Sequence, residues 1–215
     1  MSALEFAVLG ARPEAHAAVP TLALRLRVAE TTGAVVHAMA LKCQIRIEPQ
    51  RRAYGPDEEE RLYDLFGEAP QWGDSVRPFL WTHVDTVVTG FRDETEVDLM
   101  VPCAYDLEVA GARYLEALGD GDVPLVLLFS GTLFTKGELG FSAEPIAWDR
   151  EASFRMPVAV WRAVMDLYYP GSGWLRLHRD TLDGLRRFKS ARGLATWDQA
   201  IERLLKEAQA GGGPS

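Results

Sequence analysis

The sequence predicts an α+β protein, with a mainly antiparallel, β-sandwich-like body followed by a C-terminal helical module. Three observations carry this. Short runs of alternating apolar and polar residues, about seven of them separated by turn residues, occupy the chain as far as Asp149. Beyond that point the apolar period changes from two residues to that of a helix and stays there. With 215 residues, 47% hydrophobic and 25% charged, the chain is long enough to bury a sizeable core. The expected organisation is a β-rich domain over 1–150, a helical module over 151–209 packed on it, and a disordered tail at 210–215.

The elements follow in order. In LALRLRV, Leu22, Leu24, Leu26 and Val28 share one face and Arg25 and Arg27 the other, the alternation of a half-buried strand. After TTG, a second run puts Val35, His37, Met39, Leu41, Cys43, Ile45 and Ile47 on one face, with Lys42, Gln44 and Arg46 opposite. The two runs read as a hairpin, with His37 a hydrogen-bonded core histidine. PDEEERLYDLFG begins with Pro56 and acidic residues suited to a helix N-terminus and stops at Gly67. FLWTHVDTVVTGF and EVDLMV read as strands joined by a polar RDET turn, and Tyr105 to Leu118 as a strand leading into a short helix. PLVLLFSGTLF is a central strand, returned by KGELG into GFSAEPI. MPVAVWRAVMDLYY opens a helix at Pro157 with Trp161, Val164, Met165 and Tyr168 on one face. PGSG, residues 170–173, is the best candidate for an internal boundary.

From Trp174 onward the text reads strand, helix, turn, helix. Leu175 and Leu177 face one way and Trp174, Arg176 and His178 the other; Asp180 is the expected N-cap of a helix stopped by Gly193. Thr196 and Gln199 form a capping box before the apolar face Trp197, Ile201, Leu204 and Ala208. Over Trp174 to Gln209 this layout resembles the ribbon-helix-helix DNA-binding family. By position the resemblance implies base contacts from Trp174, Arg176 and His178 in a dimer, Arg176 being the guanine-reading type. The segment carries eight Lys or Arg against five Asp or Glu, a local +3 in a chain of −8. A helical hairpin laid on the preceding β-domain shows the same capping and periodicity, and both readings stay open.

Other chemistry finds little support. A net charge of −8 argues against nucleic-acid or anionic-membrane binding by the surface as a whole. MSALEFAVLGARPEAH does not read as a secretory leader, no apolar run reaches membrane-spanning length, and two cysteines, Cys43 and Cys103, read as reduced core thiols. A cytoplasmic protein is expected. His16, His37, His83 and His178 are scattered with no metal-ligand spacing, so neither a metal nor another cofactor is expected. WTHVD places His83 and Asp85 on one strand face, where a carboxylate could hold an imidazole, but no nucleophile accompanies them and no catalytic residue is assigned. LFSGTLF lacks the G-x-S-x-G elbow.

Aromatic residues crowd the stretch from Ile146 to Leu177, more than one amphipathic helix can bury against a sheet. Trp148, Trp161, Tyr168 and Tyr169 are therefore the candidate residues for a protein-protein interface, core packing being the competing fate of each.

The runs VPCAYDLEVAGARYLEAL, VPLVLLFSGTLF and IAWDREASFRMPVAVWRAVMDLYYPGSGWLRLHRDTLDGLRRFKSARG together resemble an uncharacterised bacterial family often encoded beside nickel-iron hydrogenase genes. The resemblance spans about Pro20 to Leu205 and is most specific in the last third. It implies an accessory, assembly or maturation partner of a hydrogenase system, with no known activity and no residue roles. The lack of a Cys or His cluster points to protein binding or scaffolding rather than metal delivery. The expected function is thus a non-catalytic interaction or assembly factor whose partners are proteins, a hydrogenase or its maturation factors; the alternative is a dimeric DNA-binding regulator.

Overall fold

A computed structural model describes residues 3–103, 110–137, 140–172 and 177–211. Its body is built from two antiparallel sheets. The first orders β1 (Leu4–Pro13), β2 (Thr21–Glu30) and β5 (Glu94–Pro102). The second orders β4 (Phe79–Phe91), β3 (Val36–Ile47), β6 (Asp122–Gly137) and β7 (Gly140–Pro145), with β8 (Glu151–Pro157) sharing the edge of β6 that β7 uses. The fold class is the expected α+β with a β-rich body.

Alternation explains the core. Leu22, Leu24, Leu26 and Val28 of β2 are buried while Arg25 and Arg27 are exposed, and Met39, Leu41, Cys43, Ile45 and Ile47 of β3 turn inward likewise. The two inner faces share one apolar core, and Phe6 of β1 stacks on Phe129 of β6 with ring centroids 4.1 Å apart. Helices add to the same core. Leu62 of α1 (Pro56–Phe66), Trp72 of α2 (Trp72–Ser75), Tyr114 and Leu115 of α3 (Ala110–Ala117), and Trp161, Val164 and Met165 of α4 (Val158–Tyr168) are all buried in it.

Sixteen-residue β6 is the centre of the second sheet. It pairs β3 along one edge from Leu125 to Thr135; on the other edge its first half pairs β8 and its second half β7. Gly131 sits where the partner changes. Its φ is 136°, and an added Cβ would overlap the Ala40 carbonyl oxygen, so only glycine fits.

Several expectations change. The runs read as a hairpin, β2 and β3, lie in different sheets, and residues 31–35 cross between them. The Glu30 carboxylate holds the crossing, accepting from Thr32 N at 3.1 Å, Ala34 N at 2.8 Å and Thr32 Oγ1 at 2.5 Å, with Gly33 at φ 82°. Strands facing across a sandwich and strands paired in a hairpin have the same alternation, which is why the pattern did not separate them. β4 and β5 are divided in the same way, around Asp93 at φ 63°. His37 is exposed rather than in the core, because the register with β6 shifts between Val36 and Ala38 and Val36 takes the inward position. β1, which lacks clean alternation, carries no strand signal of its own.

The chain divides into compact units at Met1–Trp174 and Leu175–Ser215. The break falls just after PGSG and not at 150/151, since β8 completes the second sheet and α4 packs on β1, β2 and β8. In the second unit the N-cap position of α5 (Arg179–Ala191) is His178, not Asp180, with no side-chain cap bond, and α6 (Trp197–Gly211) takes in Ala210 and Gly211 of the expected tail. The capping box is present: Gln199 N donates to Thr196 Oγ1 at 3.2 Å, and Gln199 Oε1 accepts from Thr196 N at 3.4 Å. The expected strand residues Tyr105 to Val109, and those from Trp174 to Arg176, lie outside the described residues.

Candidate functional site

The four aromatic candidates separate cleanly. Trp161 is 2% exposed, in the core against Trp81 with ring centroids 6.4 Å apart, and is corrected from interface candidate to packing residue. Tyr168 is half-buried, and its hydroxyl donates to the carbonyls of Glu14 at 2.7 Å and Ala17 at 3.1 Å, tying α4 to the β1–β2 connection. Tyr169, also half-buried, lines a cleft of about 540 Å3 with Arg61, Glu116, Arg162 and Asp166. Trp148 is 91% exposed.

Short-range bonding explains how so large an apolar side chain is held out. Residues 146–150 carry the chain from β7 to β8, and both ends are pinned to β6: Ile146 N donates to Gly131 O at 3.0 Å and Phe129 N to Arg150 O at 2.9 Å. Ile146 turns inward as the anchor, at 7% exposure, and Trp148 projects from the middle. Beside it lies a cavity of about 360 Å3 lined by Leu4, Leu133, Pro145, Ile146 and Ala147, with Glu144 and Arg150. An exposed indole next to an apolar hollow is the arrangement of an interface anchor and its surround.

The second unit presents another apolar surface. On α6, Trp197, Ile201, Leu204 and Leu205 are all exposed, from 37% to 58%, while Ala200 is buried. Lys189 Nζ lies 5.6 Å from the Trp197 ring centre, and Arg192 reaches Glu207 at 3.1 Å, so α5 and α6 hold each other by polar and cation–π contacts. Of the nucleic-acid candidates, Trp174 and Arg176 lie outside the described residues, and His178 is exposed at the start of α5.

His83 and Asp85 are both exposed on β4, opposite Gln44 and Lys42 of β3, and line none of the described cavities. Burial pushes the thiols of Cys43 and Cys103 up to about 12, which leaves them protonated and inert as nucleophiles near neutral pH. Among the described residues, no three His, Cys, Asp or Glu side chains gather as a metal site.

Sequence reading missed a buried polar network. Arg52 Nη2 lies 2.9 Å from both Glu58 oxygens, and Glu58 also accepts from Gly119 N at 2.6 Å and Gly55 N at 3.3 Å. Burial works to raise the Glu58 pKa, but the Gly119 and Gly55 N–H groups and Arg52 outweigh it and hold the carboxyl below its ordinary value. Next to this pair the Tyr54 and Tyr114 hydroxyls meet at 2.8 Å, and burial pushes the Tyr114 phenol up to about 12. Every described polar atom of Glu58 and both phenols has a partner, so the network fastens α1 to the α3–β6 turn and offers no free group to a substrate. No local signal could have found it, because Gly119 is 61 residues from Glu58.

No curated protein matches the sequence. Among solved structures, a β-glucosidase of Kluyveromyces marxianus is 6% identical over 72% of this chain and 15% of its own, with a TM-score of 0.27. β-Glucosidase 3B of Thermotoga neapolitana is 14% identical over 72% of this chain and 17% of its own, at 0.27. The putative ApaA protein of Bordetella pertussis is 16% identical over 73% of this chain and 95% of its own, at 0.24. The chain spans less than a fifth of either glucosidase, and similarities this low carry no argument about activity. A family model, in contrast, matches residues 1–212, so the chain belongs to the family of unknown function DUF6084.

Proposed function

We propose that the protein is a non-catalytic interaction or assembly factor, and that its partner is a subunit or maturation factor of a nickel-iron hydrogenase system in the cytoplasm. The observation that carries the interaction reading is Trp148, 91% exposed on a loop hydrogen-bonded at both ends and adjoining an apolar cavity. Holding an indole in water has no benefit to the fold, whereas a rigid aromatic anchor loses little conformational entropy on binding. The exposed apolar residues of α6 add a second surface of the same character. The hydrogenase partner rests on the sequence resemblance alone. The absence of a membrane-spanning candidate among the described helices and the two buried free thiols accord with a cytoplasmic location.

Tagged protein and its Trp148→Ala variant, passed through native lysate of a hydrogenase-producing cell, test the reading. The wild type is expected to retain a hydrogenase subunit or maturation factor through moderate salt. The variant should lose it by about tenfold or more, as hot-spot truncation does, with an unchanged Tm. Equal retention by the variant, or no hydrogenase protein in the wild-type eluate, would count against it.

A second reading, DNA binding, is favoured by one observation: α5, a turn and α6 stand in the order of the ribbon-helix-helix module, in a segment of net +3. DNA in the same eluate, lost steeply as salt rises and weakened by Arg176→Ala, would support it instead.

A further inference from the structure

Among the described residues, five strands border the two sheets, and four of them are guarded against pairing with another chain. β1 carries a bulge between Val8 and Gly10, β5 an acidic row of Glu94, Glu96 and Asp98, and β7 and β8 are only six and seven residues long and end on Pro145 and Pro157. β4 is the exception. Among the described residues it pairs with β3 alone, and from Thr82 to Thr89 its ladder is regular and its sequence holds no Lys, Arg, Pro or Gly. Val87 is 69% exposed and Leu80 45% exposed. An open edge with apolar, β-branched side chains is the kind that recruits another strand.

The order of side chains along this edge is complementary to itself. His83, Asp85 and Val87 lie on the outer face of the sheet, and Thr82, Val84 and Thr86 on the inner one. Against β3 the register slips between Thr82 and Leu80, where Trp81 is the extra residue and turns to Trp161, with ring centroids 6.4 Å apart. The slip returns Leu80 to the outer face, opposite Arg46. A two-fold axis through Val84, between antiparallel copies of β4, therefore sets Thr82 against Thr86, His83 against Asp85 and Leu80 against Val87, each pair made twice. All three pairs are of favourable types: hydroxyl with hydroxyl, imidazole N–H donating to a carboxylate, aliphatic on aliphatic. Within the chain neither the His83 nor the Asp85 side chain is engaged by another described residue.

We propose that β4 is a self-association edge: two copies of the chain join β4 to β4, antiparallel about Val84, so that their second sheets become one continuous sheet. The backbone N–H and C=O groups on the open edge gain ladder partners, and no like charges meet across the contact. The occupant is a second copy because the strand is complementary to its own sequence, which is the requirement of a two-fold contact between identical chains. β4 lies at the opposite edge of its sheet from β7 and β8, whose connection carries Trp148, so the contact does not depend on the reading of that residue.

The test is sedimentation equilibrium of the full-length protein from low to high micromolar concentration, at moderate ionic strength so that repulsion between chains of net charge −8 is screened. A reversible equilibrium between monomer and dimer is expected. His83→Asp sets carboxylates opposite one another twice per dimer and should weaken it by about tenfold or more, and Val87→Lys, which guards the edge as natural edges are guarded, should do the same. His83→Asp combined with Asp85→His exchanges the two positions and remakes both pairs, so the double variant should return to within about threefold of wild type. Both residues are exposed, so the Tm of each variant, read at a concentration where all are monomeric, should match that of wild type. A wild type that stays monomeric throughout, a dimer unaffected by His83→Asp, or a double variant no stronger than the single one would overturn the proposal. Loss of the dimer on Leu205→Lys with no effect of His83→Asp would place the contact on α6 and overturn it as well.

Discussion

Glu58 shows what placing a charge away from water requires. The Glu58 carboxylate is surrounded by donors from three separate parts of the chain, Arg52, Gly55 and Gly119, and its side chain is 9% exposed beside an Arg52 side chain at 8%. Removing the charge strands Arg52, so Glu58→Gln should cost about 3 kcal/mol, measurable by denaturant unfolding near neutral pH. The pH dependence has a definite sign. With its pKa lower in the fold than in the unfolded chain, Glu58 stabilises fully above the ordinary glutamate pKa of about 4.3, and that stability is lost as pH falls through the lower folded value. The stability gap between wild type and Glu58→Gln should therefore be widest near neutrality and narrow progressively below about pH 4. In the sequence Glu58 is simply one member of a DEEE run at a helix start. Composition accounts for the run, but nothing local marks which of its carboxylates reaches Arg52 and Gly119.

Elements whose signals are local were legible. Pro56 and Gly67 bracket α1, Pro157 precedes α4, and Thr196 with Gln199 caps α6 as expected, because each signal acts within one helical turn. β6 was recognisable as a central strand from its apolar run. Its partners were not, since pairing joins residues far apart and the alternation of β2 and β3 fits either sheet arrangement. The candidate site was legible in the same partial way: the aromatic crowding around Trp148 was evident, but its exposure and the burial of Trp161 depend on which strand each neighbours. Gly131 is the most exacting position within an element. At φ 136° and in contact with the Ala40 carbonyl, it has room for no side chain, so Gly131→Val should destabilise the protein by at least about 2 kcal/mol from backbone strain and displacement of β3. Chemical denaturation read by tryptophan fluorescence checks this; a loss under about 0.5 kcal/mol, the range of an indifferent surface change, would show that the strands can separate there freely.

For the whole molecule, the two compact units make a prediction about independence. Both sheets, their shared core and α1 to α4 all fall within Met1–Trp174. A chain ending at Trp174 is expected to retain far-ultraviolet circular dichroism of a β-rich protein and a cooperative melt, because among the described residues the core cluster lies wholly within Met1–Trp174. A noncooperative melt would mean that the helical hairpin is needed for the body to fold. Removal of that segment also leaves a body of net charge −11, with the basic character of the chain's end gone.

The position of β6 at the middle of its sheet also bears on the order of events during synthesis. β2 and β3 leave the ribosome early, yet the second edge of β2 must wait for β5, and one edge of β3, with β7 and β8, pairs with a strand that begins at Asp122. More than half the polypeptide is therefore made before the second sheet has its centre, and until then one edge of β3 has no partner strand. Such distant pairings place folding in the slow range for small domains and leave unpaired strand edges on the nascent chain. A protein so arranged is expected to draw on chaperones as it is made, and to be most prone to aggregation when synthesis stalls shortly before β6.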